Sequence, residues 1–288
     1  MNVKNTIINS LDIKDVDRTQ TTIVCTSNER YISVLDACLN SIRGNSSDVN
    51  VVSRLVNVED HTYEKILDNH NDMHFMREII DTSACRDIMT DTAANLGWEQ
   101  LLNKVKIKKS RTGMHEFHSQ ESAYCSNIKF NTINMLINDG FECVVYLDAD
   151  TLVMNDITHI KEMIKGHDIG MYIHEEEVGK YKTYHQQEYS GWHAGFMVAT
   201  NTSLCKQLYR EVEKRVNDNI YDIEADEDEF EAVYRIWLED LRLKLFDKRY
   251  KDSGPEFSHE SFMWTGQGSN KSCSVQYIEQ FNQYRSAR

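Results

Sequence analysis

Residues 144–155, VVYLDADTLVMN, constrain this chain more than any other stretch. Their first four residues form a short apolar run with β-branched and aromatic side chains, which predicts a buried strand. The strand ends in Asp148-Ala149-Asp150. Because side chains two apart in an extended chain point the same way, we expect the two carboxylates to converge at the carboxyl end of the strand. Such a pair favours a divalent cation that bridges to substrate phosphates; the alternative is a solvated acidic turn.

The amino-terminal part predicts a nucleotide-binding α/β unit. Residues 22–25 read as a buried strand, residues 26–31 as a polar turn, and the following residues as a helix with Leu35, Leu39 and Ile42 on one face. A second strand is expected within residues 49–56. Ligands bind at the carboxyl ends of such parallel strands. The unit therefore predicts a nucleotide site next to the acidic turn.

The rest of the chain alternates between expected helices and strands. Helices are expected over most of residues 63–109 and over residues 119–136, 157–165 and 203–217. A further helix is expected after the acidic run 223–229, and a strand is expected over residues 168–174. Asp139-Gly140 supplies a helix stop. The polar stretch 175–190 is a candidate lid or acceptor-contact loop, since long loops in compact domains are often functional.

Composition narrows the class of protein. The 288 residues carry a formal net charge of −14, which argues against nucleic acid as a partner. Seven cysteines without a CxxC spacing favour reduced core thiols. The spacings HNDMH and HEFH lack a third ligand, so their histidines are read as ordinary ones. Without a signal-peptide core or an apolar run near the roughly 20 residues of a membrane span, we expect a cytoplasmic protein.

Two glycine-containing stretches are candidate ligand contacts. Gly195, in GWHAGFMV, permits close approach of the backbone to a ligand. Residues 264–271, WTGQGSNK, could fold over a diphosphate through backbone amides and the Lys271 ammonium. No linker or repeat is visible, so we expect one domain over 1–288, with a polar lead-in at 1–20 and a tail at 252–288 that closes over the donor site.

Taken together, these segments resemble a known family. Five segments resemble the nucleotide-sugar glycosyltransferases of GT-A fold, in particular the glycogenin-like group that carries a DxD motif and retains configuration. In order along the chain, these segments are TTIVCTSNERYISVLDACLNSIR, NIKFNTINMLINDGFECVVYLDADTLVMNDI, WHAGFMVATNTSL, ADEDEF and GQGSNK. The resemblance spans about residues 20–272. It implies an α/β domain whose mixed, mostly parallel sheet is flanked by helices. It also implies a UDP-sugar donor, Mn²⁺ or Mg²⁺, and a glycan, protein or small-molecule acceptor.

The resemblance assigns expected roles to individual residues. Asp148 and Asp150, with Ala149 between them, would hold the metal and the donor. The other implied donor contacts are Thr26, Ser27 and Tyr31 near the nucleoside, Lys129 at a basic position facing the donor, His193, Ala194 and Gly195 in the sugar-facing turn, and Gly266, Gly268 and Lys271 over the diphosphate. Catalytic roles fall on Asp226, Glu227 and Asp228.

Departures from the family pattern leave alternatives open. The family's His-x-x-Gly-x-x-Lys is here Thr265-x-x-Gly268-x-x-Lys271, so the third metal ligand is missing from its place and His259 is the nearest substitute. His193 replaces Asn and Glu227 replaces Gln. Retention is expected, with Asp226 or Glu227 steadying the cationic sugar; inversion with Asp228 or Glu227 as the base is the alternative.

Three other functions share parts of the pattern. A sugar nucleotidylyltransferase would carry a glycine-rich loop where this chain has TSNERY. A haloacid-type phosphatase would have its threonine one residue later than in DADT. A sugar- or nucleotide-binding module would bind the nucleotide without turnover.

Overall fold

The structure is a computed structural model that describes residues 5–9, 13, 16–80, 120–175, 178–179, 188, 190–218, 220, 225–266 and 274–286. The strands are β1 Asn5–Asn9, β2 Thr21–Asn28, β3 Asn50–Val56, β4 His74–Ile80, β5 Cys143–Leu147, β6 Thr151–Val153, β7 Ile169–Ile173, β8 Trp192–Thr200, β9 Leu243–Phe246 and β10 Met263–Thr265. The helices are α1 Ile32–Asn45, α2 Asp60–Asn69, α3 Gln120–Asn127, α4 Lys129–Asn138, α5 Ile160–Ile164, α6 Ser203–Asp218, α7 Ala225–Trp237 and α8 Val275–Ser286. Short 3₁₀ turns cover Glu29–Tyr31 and Lys248–Tyr250.

Eight strands form one mixed sheet in the order β1-β4-β3-β2-β5-β8-β7-β9. Strands β4, β3, β2 and β5 run parallel, β8 is antiparallel to both β5 and β7, and β9 is parallel to β7. Strand β1 adds an antiparallel edge beside β4. A separate pair, β6 and β10, is antiparallel. The predicted mixed sheet flanked by helices is confirmed.

Strand β5 shows why the sheet lies between two layers of helices. Its residues are all buried, and they alternate between two core clusters: Val144 and Tyr146 pack with residues of α4, α6 and α7, while Val145 and Leu147 pack with residues of α1, α2 and α5. A strand that is covered on both faces reads as a continuous apolar run rather than an alternating one. This explains the sequence VVYL before the acidic turn.

The sheet order places a crevice next to that turn. After β2 the chain builds outward through β3 to β4, whereas β5 lies on the other side of β2. Open α/β sheets bind ligands at such a switch point, outside the carboxyl ends of the strands. Asn28 ends β2 and Leu147 ends β5, so both strands present their carboxyl ends at this edge.

Three strands correct the sequence-based expectations. Residues 74–80 lie in the stretch that we expected to be mainly helical, but they form β4 with an apolar, mostly buried HFMREII. Strand β1 lies in the expected polar lead-in, and β9 was not predicted. The expected helix 119–136 is divided into α3 and α4, and Thr26–Asn28 belong to β2 rather than to a turn. Residues 81–119 lie outside the described residues.

The expected helix stop and core thiols are confirmed. Helix α4 ends at Asn138, two residues before Gly140, whose φ of 99° suits glycine, and the Phe141 amide donates to the Leu136 carbonyl. The cysteines at 25, 38, 125, 143 and 205 are free and buried, and burial raises the pKa of Cys143 to about 12. His70 is a core residue bonded to Asp36 at 2.8 Å. Within the described residues, every helix is too short or too polar to cross a membrane.

Candidate active site

The acidic turn joins β5 to β6 at the carboxyl edge of the sheet. The Thr151 amide donates to the Asp148 carbonyl at 3.0 Å, which closes the turn. The Asp148 side chain is 36% exposed, and Asp150 is also partly exposed. Both predicted carboxylates therefore lie at the edge where the sheet order reverses, and solvent reaches them.

Strand β8 brings Gly195 against this turn. The pairing of Leu147 with Phe196 sets the register, and the Asp148 amide donates to the Gly195 carbonyl at 3.1 Å. A Cβ on Gly195 would overlap Asp148 Oδ2 and the Nζ of Lys251, and would lie 2.9 Å from Asp148 Cγ. The predicted close approach at Gly195 is thus made by the protein's own side chains.

Lys251 is a buried charge that the sequence did not indicate. Its side chain is 1% exposed, its Nζ lies 3.6 Å from Asp148 Oδ2, and it donates to Thr265 Oγ1 at 3.3 Å. The segment that carries it runs beside β10, because the Phe262 amide donates to the Arg249 carbonyl and the Thr265 amide to the Asp252 carbonyl. Nothing in KRYKD separates Lys251 from the exposed Lys248, so only the pairing with β10 could have identified it.

The start of the glycine-containing turn lies beside Asp150. Strand β10 pairs with β6 so that Thr265 faces Thr151, and the Gly266 amide donates to the Asp150 carbonyl at 2.8 Å. The Tyr277 hydroxyl donates to the same carbonyl at 2.6 Å, and burial, with a smaller contribution from Asp150, raises the pKa of Tyr277. The predicted contacts Gly268 and Lys271 lie outside the described residues.

A buried ion pair links α4 to α7. Lys129 Nζ lies 2.6 Å from Asp226 Oδ2, and the two side chains are 1% and 6% exposed. Ser126 Oγ donates to the same oxygen at 2.9 Å, and the Glu227 amide donates to Asp226 Oδ1 at 2.9 Å. Two residues that were predicted separately, one for donor binding and one for catalysis, are therefore in direct contact.

Tyr146 connects this ion pair to the end of β2. The Lys129 ammonium lies 5.1 Å from the centroid of the Tyr146 ring, and the Tyr146 hydroxyl is 3.1 Å from Thr26 Oγ1. Burial, with a smaller contribution from Asp148, raises the pKa of Tyr146. Thr26 also donates to the Cys125 carbonyl, at 2.9 Å. The Thr26 hydroxyl is thus part of the protein's internal hydrogen bonding.

The other predicted residues lie at the end of β2, in the 3₁₀ turn after it, and on β8. Ser27 is buried, and its hydroxyl donates to the Asn28 carbonyl, while Tyr31 ends the 3₁₀ turn and its amide donates to Asn28 Oδ1. His193 Nδ1 accepts from the Gly195 amide at 2.9 Å. Ala194 is buried between His193 and Gly195 on β8.

The first turn of α7 concentrates acidic residues. Asp226 and Asp228 are buried, and Glu227 is partly exposed. The helix dipole favours negative charge at this end, which contributes to their placement. Of the three, Glu227 has the most access to solvent.

The described residues fit a divalent metal poorly. Among them, no group of three or more His, Cys, Asp or Glu side chains is placed to hold a metal ion. His259 is exposed, with its ring 5.9 Å from that of Phe257, and it does not complete a site with Asp148 and Asp150. A cation on Asp148 Oδ2 would also meet the Lys251 ammonium, which already lies 3.6 Å from that oxygen.

Comparison with known proteins supports the architecture. No protein-family model and no curated protein matches the sequence. Among solved structures, apo WbbM, a bifunctional glycosyltransferase, superposes with a TM-score of 0.57 at 13% identity, over 95% of this chain and 51% of WbbM. The glycosyltransferase GlyE of Streptococcus pneumoniae TIGR4 gives 0.55 at 13%, over 94% and 61%. This chain thus spans about half of WbbM and three-fifths of GlyE.

A third match covers nearly the whole of both chains. The galactosyltransferase LgtC, in complex with donor and acceptor sugar analogues, gives a TM-score of 0.53 at 11% identity, over 92% of this chain and 95% of LgtC. At such identities the likeness is one of fold. The chain has the GT-A glycosyltransferase fold.

Proposed function

We propose that this chain is a glycosyltransferase that moves a sugar from a UDP-sugar to an acceptor hydroxyl with retention of configuration. One observation carries the proposal: Asp148, Gly195 and the contact between Asp150 and Gly266 gather at the carboxyl end of β5, beside the amino-terminal half of β8, where this fold can bind a ligand. The shared fold of three glycosyltransferases supports it.

The donor is proposed to lie across the switch point. Its nucleoside would contact the end of β2 around Ser27 and Tyr31, and its diphosphate would lie near Asp148 and Gly266. Uracil as the base, and Lys271 over the diphosphate, rest on the resemblance of the sequence segments.

The reaction breaks the bond between the sugar C1 and the diphosphate oxygen, and that oxygen keeps the electron pair. The acceptor hydroxyl oxygen forms the new bond to C1 from the same face, and its proton passes to the departing diphosphate. Positive charge develops on the sugar, and fixed negative charge near it lowers the barrier. Asp226, held by Lys129, and the more exposed Glu227 are the proposed sources of that charge.

Inversion is the alternative outcome. It would require a carboxylate that removes the acceptor proton on the opposite face of the sugar, and Glu227 or Asp228 would take that role. Glu227 is the more exposed of the two. The anomeric configuration of the product, read by nuclear magnetic resonance, decides between the two outcomes.

The test is UDP release from a panel of UDP-sugars, measured by a coupled assay with EDTA and with Mn²⁺. Wild-type protein should release UDP from at least one donor. Asp148→Asn should lower the rate at least about 100-fold, because it leaves the buried Lys251 ammonium without its charge partner and so disturbs the donor site. The matched control is Asp156→Asn, which alters an exposed carboxylate after β6.

Equal rates in the Asp148→Asn variant and the wild type would remove the proposed role of the acidic turn. UDP binding by calorimetry without release from any donor, in the presence of an acceptor panel, would instead identify a binding module.

A further inference from the structure

We infer that Lys251 is the resident cation of the donor site and takes the place of a divalent metal. The inference rests on the proposed function, since it concerns how the site accepts a nucleoside diphosphate. It makes Lys251 a positioning residue that balances the charge of Asp148. Binding of the donor should then be independent of added metal.

The first support is the space that Gly195 leaves. A single side-chain carbon at Gly195 would overlap both Asp148 Oδ2 and Lys251 Nζ. The carboxylate and the ammonium therefore lie together in a hollow that exists because residue 195 has no side chain. Strand β8 holds this hollow in register with the end of β5.

The second support is the burial of the ammonium. Lys251 is 1% exposed, and a buried charge is costly unless it is paired and hydrogen-bonded. Its opposite charge is Asp148, 3.6 Å away, and its hydrogen bond goes to Thr265. The other buried ammonium, on Lys129, is in direct contact with Asp226 at 2.6 Å. The looser pair at Lys251 leaves N–H groups that can turn toward an anionic oxygen of a ligand.

The third support is the ligand set. A Mg²⁺-type ion binds oxygens at about 2.0–2.1 Å in a near-octahedral shell. On Asp148 Oδ2 it would lie close to an ammonium, and like charges at this range repel strongly. The position three residues before Gly268, where the resembled family has a histidine, is Thr265, and its hydroxyl accepts from Lys251. The lysine thus contacts both Asp148 and the residue at the position of the family's third metal ligand.

The charge balance explains how a diphosphate can still bind. Asp148 and Asp150 alone would present two negative charges to an anionic ligand. Lys251 cancels one of them from inside the protein. Because the cation is covalently attached, its removal requires a mutation rather than a chelator.

The first experiment measures UDP binding to the full chain by calorimetry, in EDTA and in MnCl₂. Wild-type protein should bind with dissociation constants that agree within about threefold in the two buffers. Lys251→Met should weaken binding in EDTA at least about tenfold, because it removes a charge-assisted interaction. Lys251→Arg should restore most of the loss. Lys248→Met, which alters an exposed lysine of the same segment, is the matched control.

Metal rescue separates a role in charge balance from a role in folding. Once the ammonium is removed, Asp148 and Asp150 can accept a cation, so MnCl₂ should recover UDP binding in Lys251→Met and leave the wild type unchanged. A wild type that binds UDP at least tenfold more tightly with MnCl₂ overturns the inference and leaves the proposed function standing. Unchanged binding by Lys251→Met in EDTA overturns it as well.

A second experiment decides the inference without any nucleotide. Mn²⁺ alone is titrated into wild type and Lys251→Met, and bound metal is read by electron paramagnetic resonance. We expect no binding by the wild type at about 100 µM Mn²⁺, a concentration above the dissociation constants of sensor-type cation sites, and binding by the variant that Asp150→Asn then removes. Stoichiometric binding by the wild type overturns the inference. If UDP fails to bind in every buffer, the proposed function fails, and the Mn²⁺ titration still decides the role of Lys251.

Discussion

At the scale of the residue, Gly195 is the most constrained position of the site. It accepts a backbone hydrogen bond from Asp148 and leaves the space that holds the Asp148 carboxylate and the Lys251 ammonium. Both overlapping atoms are the ends of side chains that can rotate, so a larger residue here should rearrange the site without unfolding the protein.

Gly195→Ala should therefore weaken UDP binding at least about tenfold while lowering the melting temperature by no more than about 2 °C. Calorimetry with UDP and a thermal melt of the same sample measure the two effects. Gly44→Ala is the control, because an added Cβ there meets only Tyr284 Cε1 at 3.7 Å. Unchanged UDP affinity in Gly195→Ala would show that the donor does not depend on this arrangement.

The ion pair of Lys129 with Asp226 combines structure and chemistry. Asp226→Asn leaves a buried ammonium without its charge partner, which should cost about 3–5 kcal/mol of unfolding free energy. The double variant Lys129→Met with Asp226→Leu should recover most of that stability, since an apolar pair of similar volume avoids the desolvation penalty. Urea unfolding measures this, and UDP release measures activity.

If Asp226 serves the reaction, the double variant stays inactive although it is stable. Recovery of UDP release together with stability would assign the pair to folding alone.

The site residues that the sequence predicts are those that lie within or directly next to a run of apolar residues. Asp148 and Asp150 follow a run of apolar residues, and Gly195 interrupts another, so both could be found from the sequence. Lys251 could not, because its position depends on pairing with β10 through backbone hydrogen bonds that leave no side-chain pattern. His259 is the nearest substitute in sequence for the histidine that the family pattern lacks here, yet among the described residues it joins no group of metal ligands.

At the scale of the element, one ion pair ties the start of β7 to the chain entering β9. Both Asp168 oxygens accept from the Arg242 guanidinium, at 2.8 and 3.0 Å, and Oδ2 also accepts from the Arg242 amide at 2.9 Å. Burial raises the pKa of Asp168, but the hydrogen bonds from Arg242 and Thr202 outweigh it and lower the pKa to about 2. This pair helps to hold β9 at the sheet edge.

Arg242→Ala should lower the unfolding free energy by about 1–2 kcal/mol at pH 7, a value reduced because the Arg242 side chain is 58% exposed. The folded-state pKa lies below the ordinary value of 3.8, so the stabilisation is present above about pH 4 and is lost as the pH falls toward 2. Urea unfolding of wild type and variant from pH 7 to pH 3 should show the gap narrowing at the acid end.

Arg249→Ala is the control for this experiment, because it breaks an exposed local pair with Asp247 and should cost no more than about 0.5 kcal/mol. A gap that is constant across the pH range would show that ionisation of Asp168 is not its origin.

The elements that the sequence did not reveal are strands whose stability depends on distant partners. Strand β4 carries a charged pair within HFMREII and joins the sheet through β3, and β9 is a four-residue edge strand. Both strands have only a weak pattern of apolar and polar residues, so β4 falls within a stretch expected to be helical and β9 is not predicted. Strand β5, buried on both faces, was recognisable because its burial appears directly in its composition.

At the scale of the whole molecule, the site is assembled from segments that are far apart in the chain. Seven different elements or turns each contribute one residue: Thr26, Lys129, Asp148, Gly195, Asp226, Lys251 and Gly266. They meet because β2, β5 and β8 are neighbours in the sheet and because β10 pairs with β6. The sequence predicts these segments except the one that carries Lys251, but their meeting depends on the strand order, which local patterns do not encode.

A ligand that bridges these segments should stabilise the entire fold. At a concentration 100 times its dissociation constant, UDP would add about 2.7 kcal/mol, which corresponds to a rise of several degrees in melting temperature. Uridine should give a much smaller rise, since it lacks the diphosphate that the acidic turn and the Gly266 turn are proposed to hold. Melting curves across a concentration series of UDP and uridine measure the effect, with Asp156→Asn retaining the shift. Equal shifts for UDP and uridine would place recognition at the nucleoside alone, and the proposed diphosphate site would then have to be abandoned.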